Sequence, residues 1–439
     1  MIEDMPLILF GILFLLLLLG FPVAFTLGGV SFILGYFTFG PTFFNLLPLR
    51  IWGVMTNYVL IAVPLFVYMG VMLEKSGLAE ELLETMALLF GRLRGGLAIS
   101  VVAVGAMLGA STGIVGATVV TMGLLSLPTM LKRGYRPEVA TGTIAASGTL
   151  GQIIPPSIVL VLLGSILNVS IGDMFMGAVF PGLVLVGLYV IWLVLVAIFK
   201  SDWAPAMPED ELAAFRGNAM FKRIFNAFIL PALLVFAVLG SIFAGIASPT
   251  EAAAVGALGA TLLTVFQRKF SYTTLKSVMS ETTHLTCMVF IILVGATAFG
   301  LVFRGMRGDA YLTNLILSAN MSPGAFLALV MLMIFVAGFF IDFIEITFII
   351  VPVVAPIFVA LGVDLLWLGI LIAMNLQTSF LTPPFGFSLF YLKGVAPPEI
   401  QTGHIYRGII PFIIIQLIGL TLVITFPQMA TWLPEYLTK

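Results

Sequence analysis

The sequence predicts an all-α integral membrane protein built from two inverted repeats, each with a re-entrant helical hairpin and a broken transmembrane helix. Hydrophobic residues make up 61% of the 439 residues and charged residues only 9%, a composition typical of chains with many membrane spans. Two double prolines, Pro155-Pro156 and Pro383-Pro384, interrupt long apolar runs. They lie at equivalent places in the two halves, which indicates an internal duplication.

The register of this duplication is constant, because Pro128 and Pro356 are 228 positions apart, as are Pro155 and Pro383. A proline has no backbone N–H, so each double proline frees carbonyl groups about one turn earlier. The freed carbonyls are predicted at Gly151, Gln152, Ser379 and Phe380. Inside a membrane such groups occur only where they line a cavity or hold an ion, and paired interruptions in two halves are typical of transporters.

Apolar runs and turn residues predict the elements in order. In the first repeat, residues 1–199, the predicted segments are 6–19, 22–39, 55–73, a hairpin at 96–131, a broken helix at 137–168, and 172–199. In the second repeat, residues 224–439, they are 224–246, 249–267, 284–303, a hairpin at 323–361, a broken helix at 364–392, and 408–427. Residues 200–223 are predicted to form a cytoplasmic linker. Segments 78–92 and 271–283 mix charged with apolar residues, which favours amphipathic helices in the interface.

The distribution of basic residues among the loops predicts how the two halves are oriented in the membrane. If each hairpin returns to its own side, each half crosses the membrane an odd number of times, and the halves then have opposite orientations. The loop after the first hairpin carries Lys132, Arg133 and Arg136, whereas the equivalent second loop carries Asp364. The positive-inside rule therefore places the first loop inside the cell and both termini outside. Three arginines fall on the outer side against this trend: Arg50, Arg304 and Arg307.

Composition also limits the function classes. A net charge of −1 gives no reason to expect a nucleic-acid partner. One cysteine and two histidines do not suffice for a disulfide framework or an ordinary zinc site. An intramembrane enzyme that uses Asp342 as a protease carboxylate or His284 as a base is a possible alternative, but no clear nucleophile or paired catalytic motif accompanies them. We therefore predict a membrane transporter and not an enzyme.

The polar residues around the two breaks form the candidate site. Sodium prefers several oxygen ligands, which broken helices and neighbouring hydroxyl groups supply. Candidates in the first half are Ser111, Thr112, Ser147, Thr149 and Gln152. Candidates in the second half are Asp342, Glu345, Thr347, Asn375, Gln377, Thr378, Ser379 and Thr382. We predict one cation site in each half, near the bilayer midplane.

Other interpretations of these residues remain open. The Ser and Thr hydroxyls could simply bond to carbonyls one turn earlier. Asp342 and Glu345 could be an ion ligand, a proton carrier or a pair that caps a helix N-terminus. Half-helix N-termini after Gly113, Pro156, Asp342 and Pro384 could hold a small organic anion through free N–H groups, although a neutral polar solute is also compatible. The substrate candidates are Gln152, Pro155, Ser157, Glu345, Asn375, Gln377 and Pro384.

Over essentially its whole length the chain resembles the large membrane subunit of tripartite ATP-independent periplasmic (TRAP) transporters. The motifs that carry the resemblance are 148–157, 131–135 and 375–386. The resemblance implies sodium-coupled uptake across the bacterial inner membrane by an elevator mechanism, with hairpins and broken helices moving against a scaffold. It also implies that the termini predicted outside lie in the periplasm. It also implies two partners, a small four-helix membrane subunit and a soluble periplasmic protein that delivers a small organic acid.

Transferred by motif, the implied sodium-site regions are Ser111, Gly148, Thr149 and Gly151 in the first half, and the second hairpin with Thr378, Ser379 and Thr382 in the other. The first hairpin turn, residues 109–116, has fewer serines than the commonest family pattern. The main alternative is a carrier of similar build that takes its anion directly from solution.

Overall fold

The computed structural model describes residues 5–112, 115–208, 218–319, 321–384 and 386–437, without the side chains of residues 110–112, 218, 219 and 317. The described residues form helices joined by short turns, which confirms the all-α prediction. Seven helices in this part of the chain are long and apolar enough to span a membrane, and a bent pair makes an eighth. The remaining apolar helices are shorter than the roughly 20 residues that a full span needs.

The first half contains ten α-helices within the described ranges. They are α1 (Met5–Leu18), α2 (Val23–Phe39), α3 (Leu47–Met55), α4 (Ala62–Lys75), α5 (Leu78–Phe90), α6 (Gly96–Thr112), α7 (Val115–Lys132), α8 (Pro137–Thr149), α9 (Ile158–Leu167) and α10 (Ile171–Phe199). The predicted segment 55–73 corresponds to the span Tyr58–Lys75, whose first turn is 3-10 and whose remainder is α4. Asn57 accepts a hydrogen bond from Val59 N at 3.0 Å and starts the 3-10 turn before α4.

The second half follows the same plan. Its helices are α11 (Asn218–Ile224), α12 (Leu230–Phe243), α13 (Pro249–Phe266), α14 (Tyr272–Gly305), α15 (Gly308–Ser318), α16 (Pro323–Ala337), α17 (Phe343–Ile349), α18 (Val351–Ala360), α19 (Leu365–Leu381), α20 (Phe387–Val395), α21 (Thr402–Thr425) and α22 (Gln428–Leu437). A π-helical turn joins α11 to α12. Helices α17 and α18 form the second arm of the hairpin and bend by 49°.

Two boundary predictions are wrong, and one helix was not predicted. Segments 271–283 and 284–303 belong to one continuous helix, α14, of 34 residues. No proline interrupts this stretch, and the Ser271 side chain caps its start by accepting a hydrogen bond from Thr274 N at 3.0 Å. The counterpart of α5 in the second half is instead α15, because adding 228 to the residue numbers of α5 gives a range that overlaps α15. The sequence interpretation missed this helix. Helix α11 begins at Asn218, inside the predicted linker.

The motif at residues 131–135 ends α7 and turns the chain into α8. Gly134 has φ +78°, a conformation that a side chain disfavours, and Tyr135 N bonds to Met130 O at 3.0 Å. The Tyr135 side chain is buried. Burial raises the pKa of its hydroxyl to about 12, so the ring remains a neutral packing element that fixes this turn.

The first part of the linker is docked at the same end of the molecule. Two cations contact the Trp203 ring, Arg136 at 4.0 Å and Lys200 at 3.7 Å from its centroid. Met207 N bonds to Gly91 O at 2.8 Å. Basic side chains therefore gather at one end of the helices, which is the pattern that the positive-inside rule associates with the cytoplasmic side.

Helices α8 and α21 cross in close contact through two glycines. A Cβ placed on Gly142 would lie 2.1 Å from Gly408 O, and one on Gly408 would lie 2.2 Å from Glu138 O. These are backbone atoms, which cannot rotate away. Small residues at such crossings allow membrane helices to approach each other closely.

We expect Gly142→Val to force α8 away from α21 and to lower the free energy of unfolding by about 1–3 kcal/mol or more. Thermal unfolding of the purified chain in detergent measures this loss. The control is Gly187→Val in α10, where an added Cβ meets nothing within 4 Å. Equal melting temperatures for the two variants would contradict the predicted role of this crossing.

Candidate functional site

The first break follows directly from the sequence around Pro155. Helix α8 ends at Thr149, a 3-10 turn spans Leu150–Gln152, and α9 begins at Ile158. The Pro155-Pro156 peptide bond is cis. The Ser157 hydroxyl donates to Gln152 O at 2.7 Å. One of the carbonyls that the prolines were predicted to free is thus satisfied within the break.

The second break has the same organisation. Helix α19 ends at Leu381 and α20 begins at Phe387, and the Pro383-Pro384 bond is cis. Thr382 N donates to Ser379 O at 3.1 Å. The predicted free carbonyl of Ser379 therefore also has a local partner.

The hydroxyl groups at both breaks donate to carbonyls of their own helices. Their donor–acceptor distances are 2.5 Å for Ser147, 2.8 Å for Thr149, 2.9 Å for Thr378, 2.8 Å for Ser379 and 2.8 Å for Thr382. This satisfies each O–H group where water is excluded. Each hydroxyl oxygen keeps acceptor capacity, since a hydroxyl has one donor and two lone pairs.

The two breaks meet in the interior. Gln377 Nε2 donates to Thr149 Oγ1 at 3.3 Å, and both residues are fully buried. They are 228 positions apart, so equivalent residues of the two halves contact each other. This hydrogen bond marks the place where the halves face one another.

Buried amide groups near this contact have unused hydrogen-bonding capacity. Gln152 is fully buried, and neither its Oε1 nor its Nε2 has a partner; Gln377 Oε1 also has none. The 3-10 turn that carries Gln152 packs against α6 and α19. A buried amide without partners costs free energy, so these groups point to a ligand. We define Thr149, Gln152 and Gln377 as the polar centre.

Each hairpin approaches a break through a glycine. A Cβ on Gly109 would lie 2.6 Å from Gly151 Cα, and one on Gly338 would lie 2.1 Å from Ser379 Oγ. Gly151 and Ser379 are equivalent positions under the shift of 228. Both hairpins therefore end beside a break, as the predicted pairing of hairpin and broken helix requires.

Asp342 and Glu345 form a capping box at the start of α17. Asp342 Oδ1 accepts from Phe343 N at 2.8 Å, and Glu345 Oε2 accepts from Asp342 N at 3.0 Å. Among the described residues, no basic side chain lies within ion-pair distance of either carboxylate. The two acidic groups therefore cap a helix and have no counter-ion in the part of the chain that the structure describes.

The remaining predicted residues occupy different surroundings. Asn375 Nδ2 donates to Met331 O at 2.7 Å and so attaches α19 to the first arm of the second hairpin. Pro155 is buried, whereas Pro384 is exposed and its carbonyl accepts from Tyr406 OH at 2.8 Å. A Cβ on Gly148 would lie 2.3 Å from Val119 Cγ2, so Gly148 serves close packing of α7 on α8.

Three predicted positions remain without a described environment. The backbone of α6 reaches Thr112, but the side chains of Ser111 and Thr112 lie outside the described residues. Gly113 lies outside them entirely. In the second half, Thr347 is fully buried and its hydroxyl has no partner.

The sequence interpretation missed Tyr391 and Ser388 in α20. A Cβ on Gly116 would lie 3.1 Å from the Tyr391 ring, and this tyrosine is within electrostatic range of Asp342. Ser388 Oγ donates to Ala145 O at 2.9 Å, which ties α20 to α8. No motif marks either residue, because their contacts arise only when the second broken helix packs against the first hairpin.

A family model described as the DctM component of the tripartite ATP-independent periplasmic transporter matches residues 10–429. The large permease protein of a C4-dicarboxylate TRAP transporter from Pseudomonas aeruginosa is 32% identical, over 93% of this chain and 94% of the relative. A sialic acid TRAP transporter large permease from Vibrio cholerae is 31% identical, over 96% of each chain.

A solved structure has a similar fold. The crystal structure of the YdaH transporter from Alcanivorax borkumensis matches with a TM-score of 0.62 at 15% sequence identity, over 88% of this chain and 89% of that one. Because the identity is low, this likeness shows the fold alone. The family model and the curated relatives each cover nearly the whole chain, and the chain belongs to the tripartite ATP-independent periplasmic transporter family as its large membrane component.

Proposed function

We propose that the protein carries a small organic acid anion into the cell, driven by sodium, and that its polar centre and the adjacent hairpin ends hold the cation. The observation that carries the proposal is the group of buried amides without partners where the two breaks meet. A cation bound near Gln377 Oε1 and Gln152 Oε1 would satisfy oxygen atoms that the protein leaves unpaired. The carboxylates of Asp342 and Glu345 would compensate its charge.

In this proposal the site crosses the membrane by an elevator mechanism, in which one part of the protein moves against the other. The moving part comprises α6 to α9 and α16 to α20, and the other helices form the scaffold. Its hairpins and broken helices are closely connected, for example by the bond from Ser388 to Ala145 O and the contact of Gly109 with Gly151. A cavity of about 630 Å³ lies between α3 and α14 of the scaffold and α9, α17 and α18 of the moving part. The proposed movement would change the walls of this cavity, because they come from both parts.

The proposed partners are those of the family, a small four-helix membrane subunit and a soluble periplasmic binding protein. The exposed apolar surfaces of the scaffold helices fit a lipid or membrane-protein environment. Relatives are named for C4-dicarboxylate and for sialic acid transport, both organic acids, which supports an organic acid substrate here.

Uptake into proteoliposomes tests this function. Vesicles would contain this chain with its small partner subunit and receive a labelled panel of organic acids, with and without the binding protein and an inward sodium gradient. We expect uptake that requires both additions. Uptake without the binding protein would instead identify a carrier that takes its anion from solution, and sodium-independent uptake would refute the coupling.

We expect Asp342→Asn to reduce sodium-dependent uptake at least about tenfold while the protein remains folded. Asparagine caps helices about as well as aspartate, so the start of α17 is retained and only the negative charge is lost. The measurement is the initial uptake rate against sodium concentration, with the melting temperature recorded in parallel.

Asp364→Asn is the matched control, because Asp364 also caps a helix, accepting from Trp367 N at 2.8 Å, but is exposed. It should leave uptake unchanged. If Asp342→Asn also kept wild-type uptake and sodium dependence, Asp342 would have only a capping role.

A further inference from the structure

A second polar region lies away from the polar centre, in the cavity of about 630 Å³ at the boundary between the two parts. Arg50 of α3 and Arg304 of α14 both line it. Neither arginine forms an ion pair with any described residue. Arg304 uses only its Nε–H within this part of the chain, donating to Gly300 O at 3.1 Å. Both arginines are exposed, so two guanidinium groups line one cavity with most of their donors unpaired within the described part of the chain.

The rest of the lining restricts what these donors can bind. Asp309 is within electrostatic range of Arg304, so the cavity carries two positive charges and one negative charge. Asn57 and Ser165 add uncharged polar groups, and their side chains meet across the boundary at 3.5 Å. Most other lining residues are apolar, and they include Phe299, Phe303 and Phe348.

We propose that this cavity binds a carboxylate whose remaining body is apolar, with Arg50 and Arg304 holding the carboxylate and the aromatic wall holding the body. Guanidinium groups recognise carboxylates through paired, charge-assisted hydrogen bonds. An apolar lining with a few convergent polar groups is the usual form of a small-molecule site. This inference rests on the proposed function, because it narrows the substrate to one class of organic anion and gives it a first binding position.

The position of the cavity fits entry from the periplasm. Arg304 lies at the C-terminal end of α14, a helix of 34 residues, which spans about 50 Å. Lys269, just before its other end, pairs with Glu81 at 2.5 Å. The cavity is thus on the side opposite to the basic end of the molecule, where arginines are not needed for orientation in the membrane. Since its walls come from both parts, a ligand here bridges scaffold and moving part.

Equilibrium dialysis with the purified full chain in nanodiscs tests the proposal directly, with labelled benzoate as the probe. Potassium replaces sodium in the buffer, so the measurement does not depend on coupling. Benzamide, which lacks the charge, and acetate, which lacks the apolar body, should each bind at least about tenfold more weakly than benzoate. Arg50→Gln and Arg304→Gln should each weaken benzoate binding by a similar factor.

The matched control is Arg307→Gln, which removes an exposed arginine near Arg304 that does not line the cavity. It should change benzoate binding less than about twofold. The proposal is overturned if the wild type does not bind benzoate, if benzamide binds equally well, or if both cavity variants bind like the wild type. Arginine-dependent benzoate binding together with failed sodium-driven uptake would support this site and refute the transport proposal. Sodium-driven uptake without arginine-dependent benzoate binding would support the transport proposal and refute this site.

Discussion

Gly151→Ala is expected to stop uptake almost completely and to destabilise the protein. A Cβ at this position would lie 2.4 Å from Gly109 Cα and 2.4 Å from Gly109 O. Both are backbone atoms of the first hairpin, so the hairpin must move away from the break. Overpacking of this kind costs about 1–3 kcal/mol, and a shift of about 1 Å in the site is enough to lower its activity about a hundredfold.

The effect of this substitution should be purely steric. Gly151 does not have a positive φ, so alanine can adopt its backbone conformation. Gly240→Ala is the control, because Gly240 lies inside α12 and an added Cβ meets nothing within 4 Å. We expect the control to retain uptake and to unfold at the same or a slightly higher temperature. Normal uptake by Gly151→Ala would show that hairpin and break are not held as closely as described.

Gln377→Leu is expected to weaken sodium-driven uptake strongly with only a moderate loss of stability. The change removes the bond to Thr149 Oγ1 and the buried Oε1 that has no partner. Loss of one hydrogen bond costs about 0.5–1.5 kcal/mol, whereas loss of a cation ligand weakens sodium binding. The measurement is the sodium concentration for half-maximal uptake, which should rise at least about tenfold or become unmeasurable.

Gln416→Leu provides a matched control. Gln416 is also buried, and its Nε2 donates a hydrogen bond to Tyr189 OH at 2.8 Å. Like Gln377, it has an Oε1 without a partner. It lies in α21, outside the polar centre. Its variant should lose similar stability and keep sodium-dependent uptake. If both variants raised the half-maximal sodium concentration equally, the effect would come from buried glutamines in general and not from the polar centre.

The breaks could be predicted from the sequence because their cause is local. A double proline within an apolar run removes donors wherever it occurs, and both breaks lie at the predicted positions. The capping box of Asp342 and Glu345 was likewise one of the stated alternatives, since it depends on residues three positions apart. Predictions of this kind need only the residues within one or two turns.

Features that depend on tertiary packing were not predicted. Charge pattern alone divided α14 into an interface helix and a span, although no residue in it breaks a helix. The same reasoning overlooked α15, which carries one acidic residue in its first turn and has no strong amphipathic pattern. The contact of Thr149 with Gln377 also required knowledge of which faces of α8 and α19 meet.

The most direct test of the sodium assignment is the melting temperature of the purified chain in sodium chloride against potassium chloride at equal ionic strength. A ligand that binds only the folded state stabilises it by an amount that rises with the concentration and the affinity of the ligand. We predict a rise specific to sodium in the wild type and in Gln416→Leu, and none in Asp342→Asn or Gln377→Leu. A wild type that melts equally in both salts, or a sodium-specific rise that persists in both site variants, would contradict the assignment of the cation to the polar centre.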